Sequence, residues 1–304
     1  MSFCHGSILP ATLRGDDNGE VDTFRTRIGA AIFERVAGPQ GRDRRRQIHA
    51  EPGERWFAED RPIRRVQGDS SMFVGGIRAL LLQSLHPLAM AAVAAHSGYR
   101  SDPWGRLQRT SLFLATTTFG TADDAERAVA RVRGVHRKVS GIASDGRAYR
   151  ASDPHLVRWV HVAEVDSFLR CYQRYGARPL DEAECDGYVA DASRVATALG
   201  VPDPPTTRAE LAAQLADYRP ELAGTSEARE AARFLLVRPP LPLLARPPYA
   251  VLAATAVASL PGWARWPLRL PYLPVAEHTA VRLAGHGLVA GIRWAMTPPE
   301  RSAS

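Results

Sequence analysis

The 304-residue chain has 45% hydrophobic side chains, enough to bury a large core in one elaborated domain or two smaller ones. Its net charge of +7 rests on 39 basic residues, of which only Lys138 is lysine; the arginines are scattered among acidic residues, and the one dense run, Arg42 to Arg46 around Asp43, lacks interleaved aromatics. That pattern excludes nucleic acid as the indicated partner and makes the run a solvated surface turn.

In chain order, residues 1–20 mix Gly, Asp and Asn without periodicity and predict an N-terminal arm. Asp16, Asp17 and Glu20 interrupt the place where a secretion signal needs an apolar run, and three widely spaced cysteines, Cys4, Cys171 and Cys185, suit neither a disulfide framework nor a zinc site. A cytoplasmic protein is the expectation. From Val21 onward apolar residues recur with a period of 3.6, with no alternating strand pair, hairpin signal or βαβ rhythm. The fold class is therefore all-α, a single compact multi-helix domain over 21–295 with a tail at 296–304. The pattern predicts helices over 21–37, 72–96, 103–119, 122–140, 154–175, 181–199, 207–218, 226–237, 248–260 and 274–295. Pro87 should kink or break the second of these. Asp102-Pro103 and Asp153-Pro154 each set an acidic N-cap before a first-turn proline, and Asp181 with Glu184 and Thr207 with Glu210 read as capping boxes. Gly200, followed by Pro202, should end the helix that starts after Asp181. Residues 238–248 and 261–274 are proline-rich connectors. The apolar stretch Tyr249 to Leu260 falls short of the roughly twenty residues that span a bilayer, so it predicts a buried helix and no transmembrane segment.

There is no glycine-rich phosphate loop after a strand, no G-x-S-x-G elbow and no H-E-x-x-H pair, so common nucleotide-binding and hydrolase readings have no support. What stands out is a set of histidines and arginines within apolar helices between Gly75 and Phe168. His136 falls in the stripe of Ala125, Ala128, Val129, Val132, Val135 and Val139. His161 and Glu164 share a side of the helix carrying Val157, Val160, Val165 and Phe168. Each histidine reads as inward-facing, either a hydrogen-bonded core residue or a metal ligand. Arg106, Arg109 and Thr110 share one helix face, continued by Phe113 and Thr117. If that face is buried its charges need anionic partners; otherwise the arginines reach the surface or pair with carboxylates such as Asp102 or Glu164. The small residues around Gly75-Gly76 allow close helix packing or a flat ligand against the backbone.

Four segments together resemble the helical oxygenase family of the latex-clearing (rubber-cleaving) proteins and the ER-bound oxygenase of mycophenolic acid biosynthesis. They are R-A-L-L-L-Q-S-L-H-P (Arg78 to Pro87), H-S with D-P-W-G-R-L-Q-R-T (His96 to Thr110), V-H-R-K-V-S-G (Val135 to Gly141) and Y-R-A-S-D-P-H-L-V-R-W-V-H (Tyr149 to His161), joined by L-G-V-P at Leu199 to Pro202. The resemblance implies a globin-like helical core holding haem b, with its iron on a proximal histidine. His136 then corresponds to that ligand, His161 is the alternative, and Arg106, Arg109 and Thr110 correspond to the distal R-x-x-K-T element. Two departures stand against rubber cleavage. Arg109 replaces a lysine able to bind iron, and arginine does not lose its proton. No acidic residue lies between Asp69 and Asp102, where the rubber oxygenase has a glutamate, so its role passes to another group such as His86 or His96, or is absent. The expected function is a haem-dependent oxygenase acting with O2 on an apolar small molecule. Alternatives are a haem-binding or sensing protein without turnover, and a cofactor-free helical protein that meets a membrane or partner through Trp263 to Tyr272 with Arg265 and Arg269.

Overall fold

The computed structural model describes residues 16–297. Residues 1–15 of the expected arm, Cys4 among them, and 298–304 of the expected tail lie outside the described residues; 16–20 already belong to the first helix. In chain order the helices are α1 (Asp16–Ala37), α2 (Gly41–Ala50), α3 (Pro62–Gln67), α4 (Met72–Gln83), α5 (Pro87–His96), α6 (Pro103–Phe119), α7 (Ala122–His136), α8 (Pro154–Tyr175), α9 (Glu182–Leu199), α10 (Arg208–Asp217), α11 (Ser226–Val237), α12 (Arg246–Ala258), α13 (Gly262–Leu268), α14 (Pro274–Ala276) and α15 (Arg282–Met296). A π-helical turn, Glu277–Val281, joins the last two. The class is all-α, as the periodicity predicts.

Helix starts follow their local chemistry. Asp102 accepts a bond from the Gly105 amide at 2.9 Å and Asp153 one from the His155 amide at 2.9 Å, each with proline opening the helix. The Asp181–Glu184 box is reciprocal, at 2.8 and 3.0 Å. The second expected box is only half formed. Thr207 caps Glu210 at 3.2 Å, but the Glu210 carboxylate accepts from the amide and hydroxyl of Thr206, one residue earlier. Gly200 ends α9 at φ +97°, a left-handed conformation natural to glycine.

Four features depart from the sequence reading. The run Arg42 to Arg46 belongs to α2, a helix rather than a turn, because arginine is a good helix former and Arg44 reaches Gln40 one turn back at 2.9 Å. The short α3, opened by Pro62 and burying Ile63 and Val66, carries too few residues to show a period. The chain turns by 109° between α4 and α5, so Pro87 breaks the predicted 72–96 helix outright, with His86 as the N-cap of α5. Finally, α7 ends at His136, and a hairpin of β1 (Ser140–Ile142) and β2 (Ala148–Arg150) fills part of the span assigned to helix and loop. It turns at Asp145-Gly146, Gly146 having φ +85°. Tyr149 lies over Gly141, where a Cβ would stand 2.5 Å from the tyrosine oxygen.

Helices α4 and α8 make the most extensive pair among the described residues, and α12 crosses α4. At their junction Arg78, 1% exposed, stands 2.8 Å from Asp166 and donates to Ser167 Oγ (2.6 Å) and the Ser259 carbonyl (2.9 Å). Removing one partner of such a buried ion pair costs about 3–5 kcal/mol, so the arginine of the R-A-L-L-L-Q motif fastens three helices. Helix α6 packs on α1 and α7, α9 on α7 and α8, and α3 on α6, α8 and α9. A continuous apolar core runs from Trp56 to Val289.

Candidate active site

The two glycines that open the α4 motif have different surroundings. A Cβ on Gly75 would meet the Phe168 ring at 2.9 Å, so this glycine is used by close packing of α4 on α8. A Cβ on Gly76 would meet nothing within 4 Å. Phe73, Leu80 and Gln83 share the Gly76 side of α4 by three- and four-residue spacing and are only half-buried. Facing outward from α8 beside them are Val160, His161 and Glu164, and Gln83 Nε2 donates to the Val160 carbonyl at 3.1 Å. His161 and Glu164 lie deep in the protein yet are only half-covered by it, so each faces space that neighbouring side chains do not fill. His161 Nε2 is buried without a hydrogen-bond partner. Burial pushes the His161 pKa down to about 4 and the Glu164 pKa up to about 7. Near neutral pH the imidazole is uncharged and the carboxyl is poised between its two states.

The remaining predicted residues lie on α6 and α7, which pack on each other and make little direct contact with α4 or α8; α3 and α9 bridge the two pairs. On α7, Ala125 and Val129 are buried and Val132 and His136 half-buried, one inward stripe, whereas Val135 is 55% exposed and leaves the stripe in which the sequence places it. Burial alone lowers the His136 pKa, with no charged neighbour contributing. Arg106 is half-buried, donates to Ser97 Oγ at 3.1 Å and has its pKa lowered, first by burial and then by Arg109. Arg109 turns to the surface, 3.1 Å from Asp102, both side chains more than half exposed. Thr110 is exposed, its hydroxyl bonded back to the Arg106 carbonyl at 3.0 Å. The arrangement thus brings His161 and Glu164 together and sends Arg106 and Arg109 in different directions.

A second polar group lies where α4 ends and α8 begins. His86, His155 and Glu221 present one donor atom each, all within 4.8 Å of one another. Burial lowers the His86 pKa, opposed by Glu221; burial raises the Glu221 pKa, but the bond from His155 and the charges of His155 and His86 outweigh it and hold the carboxyl below its usual range. His96 meets Tyr149 Oη at 3.2 Å.

A family model described as the catalytic domain of the ER-bound oxygenase mpaB/B'/Rubber oxygenase matches residues 64–294. The chain belongs to this family. Uncharacterized proteins of Mycobacterium tuberculosis and Mycobacterium bovis are each 35% identical to it over 102 residues, 33% of this chain and 39% of theirs. The chain therefore matches about two fifths of the length of these curated relatives. No solved structure matches. The matched region begins within α3 and ends within α15, so it takes in every predicted site residue.

Within that domain, two contributions escaped sequence reasoning. Glu164 was legible only as a companion of His161 at helical spacing; its uncompensated burial was not. Glu221 sits in a 3-10 turn, Arg219–Glu221, without periodicity, 66 residues beyond its partner His155. No local signal could have found it. Among the described residues no single helix is long and apolar enough to cross a membrane. Arg265, a cation of the expected interfacial segment, is instead buried, 2.7 Å from Glu277.

Proposed function

We propose that the protein is a haem b-dependent oxygenase acting with O2 on an apolar small molecule. The observation that carries this reading is the His161 imidazole nitrogen, buried and unpartnered one turn from the Glu164 carboxyl. Buried polar groups are rarely left without partners, and a flat ligand with polar edges suits a wall of Phe73, Gly76 and Leu80. The residues fit the group. His136, a half-buried imidazole kept neutral by burial, would hold the iron, with His161 as the alternative ligand. Arg106 has donors beyond its bond to Ser97 with which to meet a propionate or another anionic oxygen; Arg109 and Thr110, the other members of the distal element, are exposed on the same helix and would act on the bound group only through Arg106. Bound haem supplies the chemistry of O2. Phe73 and Leu80, half-buried on the Gly76 side of α4, would exclude water and favour an apolar substrate. The Glu164 carboxyl, titrating at about 7, can hold or release a proton at neutral pH, the role left open by the lack of acidic residues between Asp69 and Asp102. Polyisoprene is not the proposed substrate, since Arg109 stands in place of the iron-binding lysine.

Protein purified with ample haem should show a Soret band and consume oxygen with an apolar substrate. A colourless preparation that does not bind haem on titration overturns the reading; haem binding without oxygen consumption across candidate substrates points to a carrier or sensor.

A second property has its own observation. Trp266 is 83% exposed, Tyr272 62% and Val275 78%, an apolar surface beside the exposed Arg269. This favours weak contact of a cytoplasmic protein with a membrane surface. Flotation with anionic vesicles tests it, and absence of binding dismisses it.

A further inference from the structure

We propose that His86, His155 and Glu221 form a binding site for one divalent transition metal ion of the zinc class, at the junction of α4, α8 and the Arg219–Glu221 turn. His86 Nε2 lies 3.3 Å from Glu221 Oε2, and His155 Nε2 lies 2.9 Å from both carboxylate oxygens. Ligand atoms about 2.0–2.1 Å from a tetrahedral zinc are roughly 3.3 Å apart, so the first spacing is already that of a coordination shell and the second needs to open by a few tenths of an ångström.

The donors are held in place by the fold. His86 is 1% exposed, fixed between Leu85 and Pro87, and its ring is flanked by those of Trp159 at 6.2 Å and Tyr218 at 6.3 Å. Its Nε2 is buried, aimed at Glu221, and makes no hydrogen bond there. A buried nitrogen left without its hydrogen bond destabilises the fold, and a metal ion would relieve it. His155 is oriented from behind. Tyr218 Oη donates to the His155 carbonyl at 2.7 Å and stands 3.4 Å from His155 Nδ1, so that when a metal takes the Nε2 lone pair in place of the bond to Glu221, the proton on Nδ1 has the tyrosine oxygen to face. The turn carrying Glu221 is tied to the end of α4 by the Ala223 amide on the Leu85 carbonyl, 2.8 Å.

Two imidazoles and a carboxylate suit zinc, cobalt or nickel and not magnesium or calcium, which take oxygen ligands. His155 and Glu221 are 47% and 40% exposed, which leaves a way in for the ion and room for water as a fourth ligand. Coordination through Nε2 puts the His86 proton on Nδ1 and gives up its 3.5 Å contact with the Ala89 amide, a long and weak cap.

The test uses the untagged full chain, stripped with chelator, then equilibrated with Zn2+ and analysed for bound metal and thermal stability. Wild type should bind one zinc that His155→Ala and Glu221→Gln lose, each weakening affinity by more than about tenfold, the loss that even outer-shell changes bring; zinc should raise the wild-type melting temperature and not that of the variants. Equal zinc affinity in wild type and both variants, or no zinc-dependent rise in wild type, overturns the proposal and leaves a Glu221-bridged histidine pair. Should His155→Ala fail to fold, Glu221→Gln decides alone, since it changes one half-exposed atom.

Discussion

Glu164→Gln should stabilise the protein, and by an amount that grows with pH. Burial raises the Glu164 carboxyl from its usual 4.5 to about 7, so the native state binds its proton more tightly than the unfolded chain. A group whose folded pKa is raised supports the native state at low pH, and that support is lost as pH climbs from 4.5 through 7. The full displacement corresponds to about 3 kcal/mol at 1.36 kcal/mol per pH unit. Glutamine keeps the shape and cannot ionise. Relative to wild type the variant should gain about 1 kcal/mol at pH 5 and approach about 3 kcal/mol at pH 8, an upper limit because water on the uncovered side solvates part of the ionised carboxyl. Urea denaturation of the apoprotein at pH 5, 6, 7 and 8 measures the difference through the transition midpoint at constant m. A stability difference independent of pH, or a wild type that is the more stable at pH 8, would show that Glu164 ionises freely and is not buried.

His161→Gln should flatten the acid side of the same curve, because a histidine with its pKa depressed to about 4 makes the wild type lose stability as pH falls from 6.5 through 4; an unchanged acid limb refutes its burial. His136→Ala should abolish tight haem binding while helical circular dichroism persists, and added imidazole should partly restore the Soret band; full haem content in the variant would remove His136 from the iron. Arg106→Met should lower oxygen consumption by tenfold or more, whereas Arg109→Met, which breaks an exposed pair with Asp102, should change stability by less than about 1 kcal/mol and leave turnover intact. Equal effects of the two would contradict their divergent placement. Gly75→Ala should cost about 1–3 kcal/mol through the Phe168 ring, and Gly76→Ala should be neutral or stabilise α4 by up to about 1 kcal/mol; comparable melting temperatures for the two would refute the assignment of one to packing and the other to open space.

Helix starts were legible because their cause is local. Asp102, Asp153, Asp181 and Thr207 each bond an amide two or three residues on, so three or four letters suffice. The Asp145-Gly146 turn was equally local, and it was overlooked because the flanking Ser140–Ile142 and Ala148–Arg150 segments are too short and too polar to show alternation; the dipeptide itself was the available signal. The α2 helix was obscured for the opposite reason. Its arginines have helical propensity, but with only Gly41 and Ile48 buried there is no apolar stripe to read.

Periodicity reports which way a side chain points, and at the candidate site that is insufficient. Gly75 and Gly76 are adjacent on α4, and Phe168 and Glu164 lie one turn apart on α8, yet one member of each pair is packed and the other borders open space. The difference is set by the partner that each face meets. Where α4 lies directly on α8, a missing Cβ at Gly75 lets the backbones approach; one position further round, at Gly76, nothing stands within 4 Å and the same missing Cβ leaves room. An inward histidine on the first kind of face would be a core residue, and on the second it has space for a ligand. His161 Nε2, buried and without a partner, belongs to the second kind, and only the placement of whole helices, with separations in sequence of up to a hundred residues, could distinguish the two.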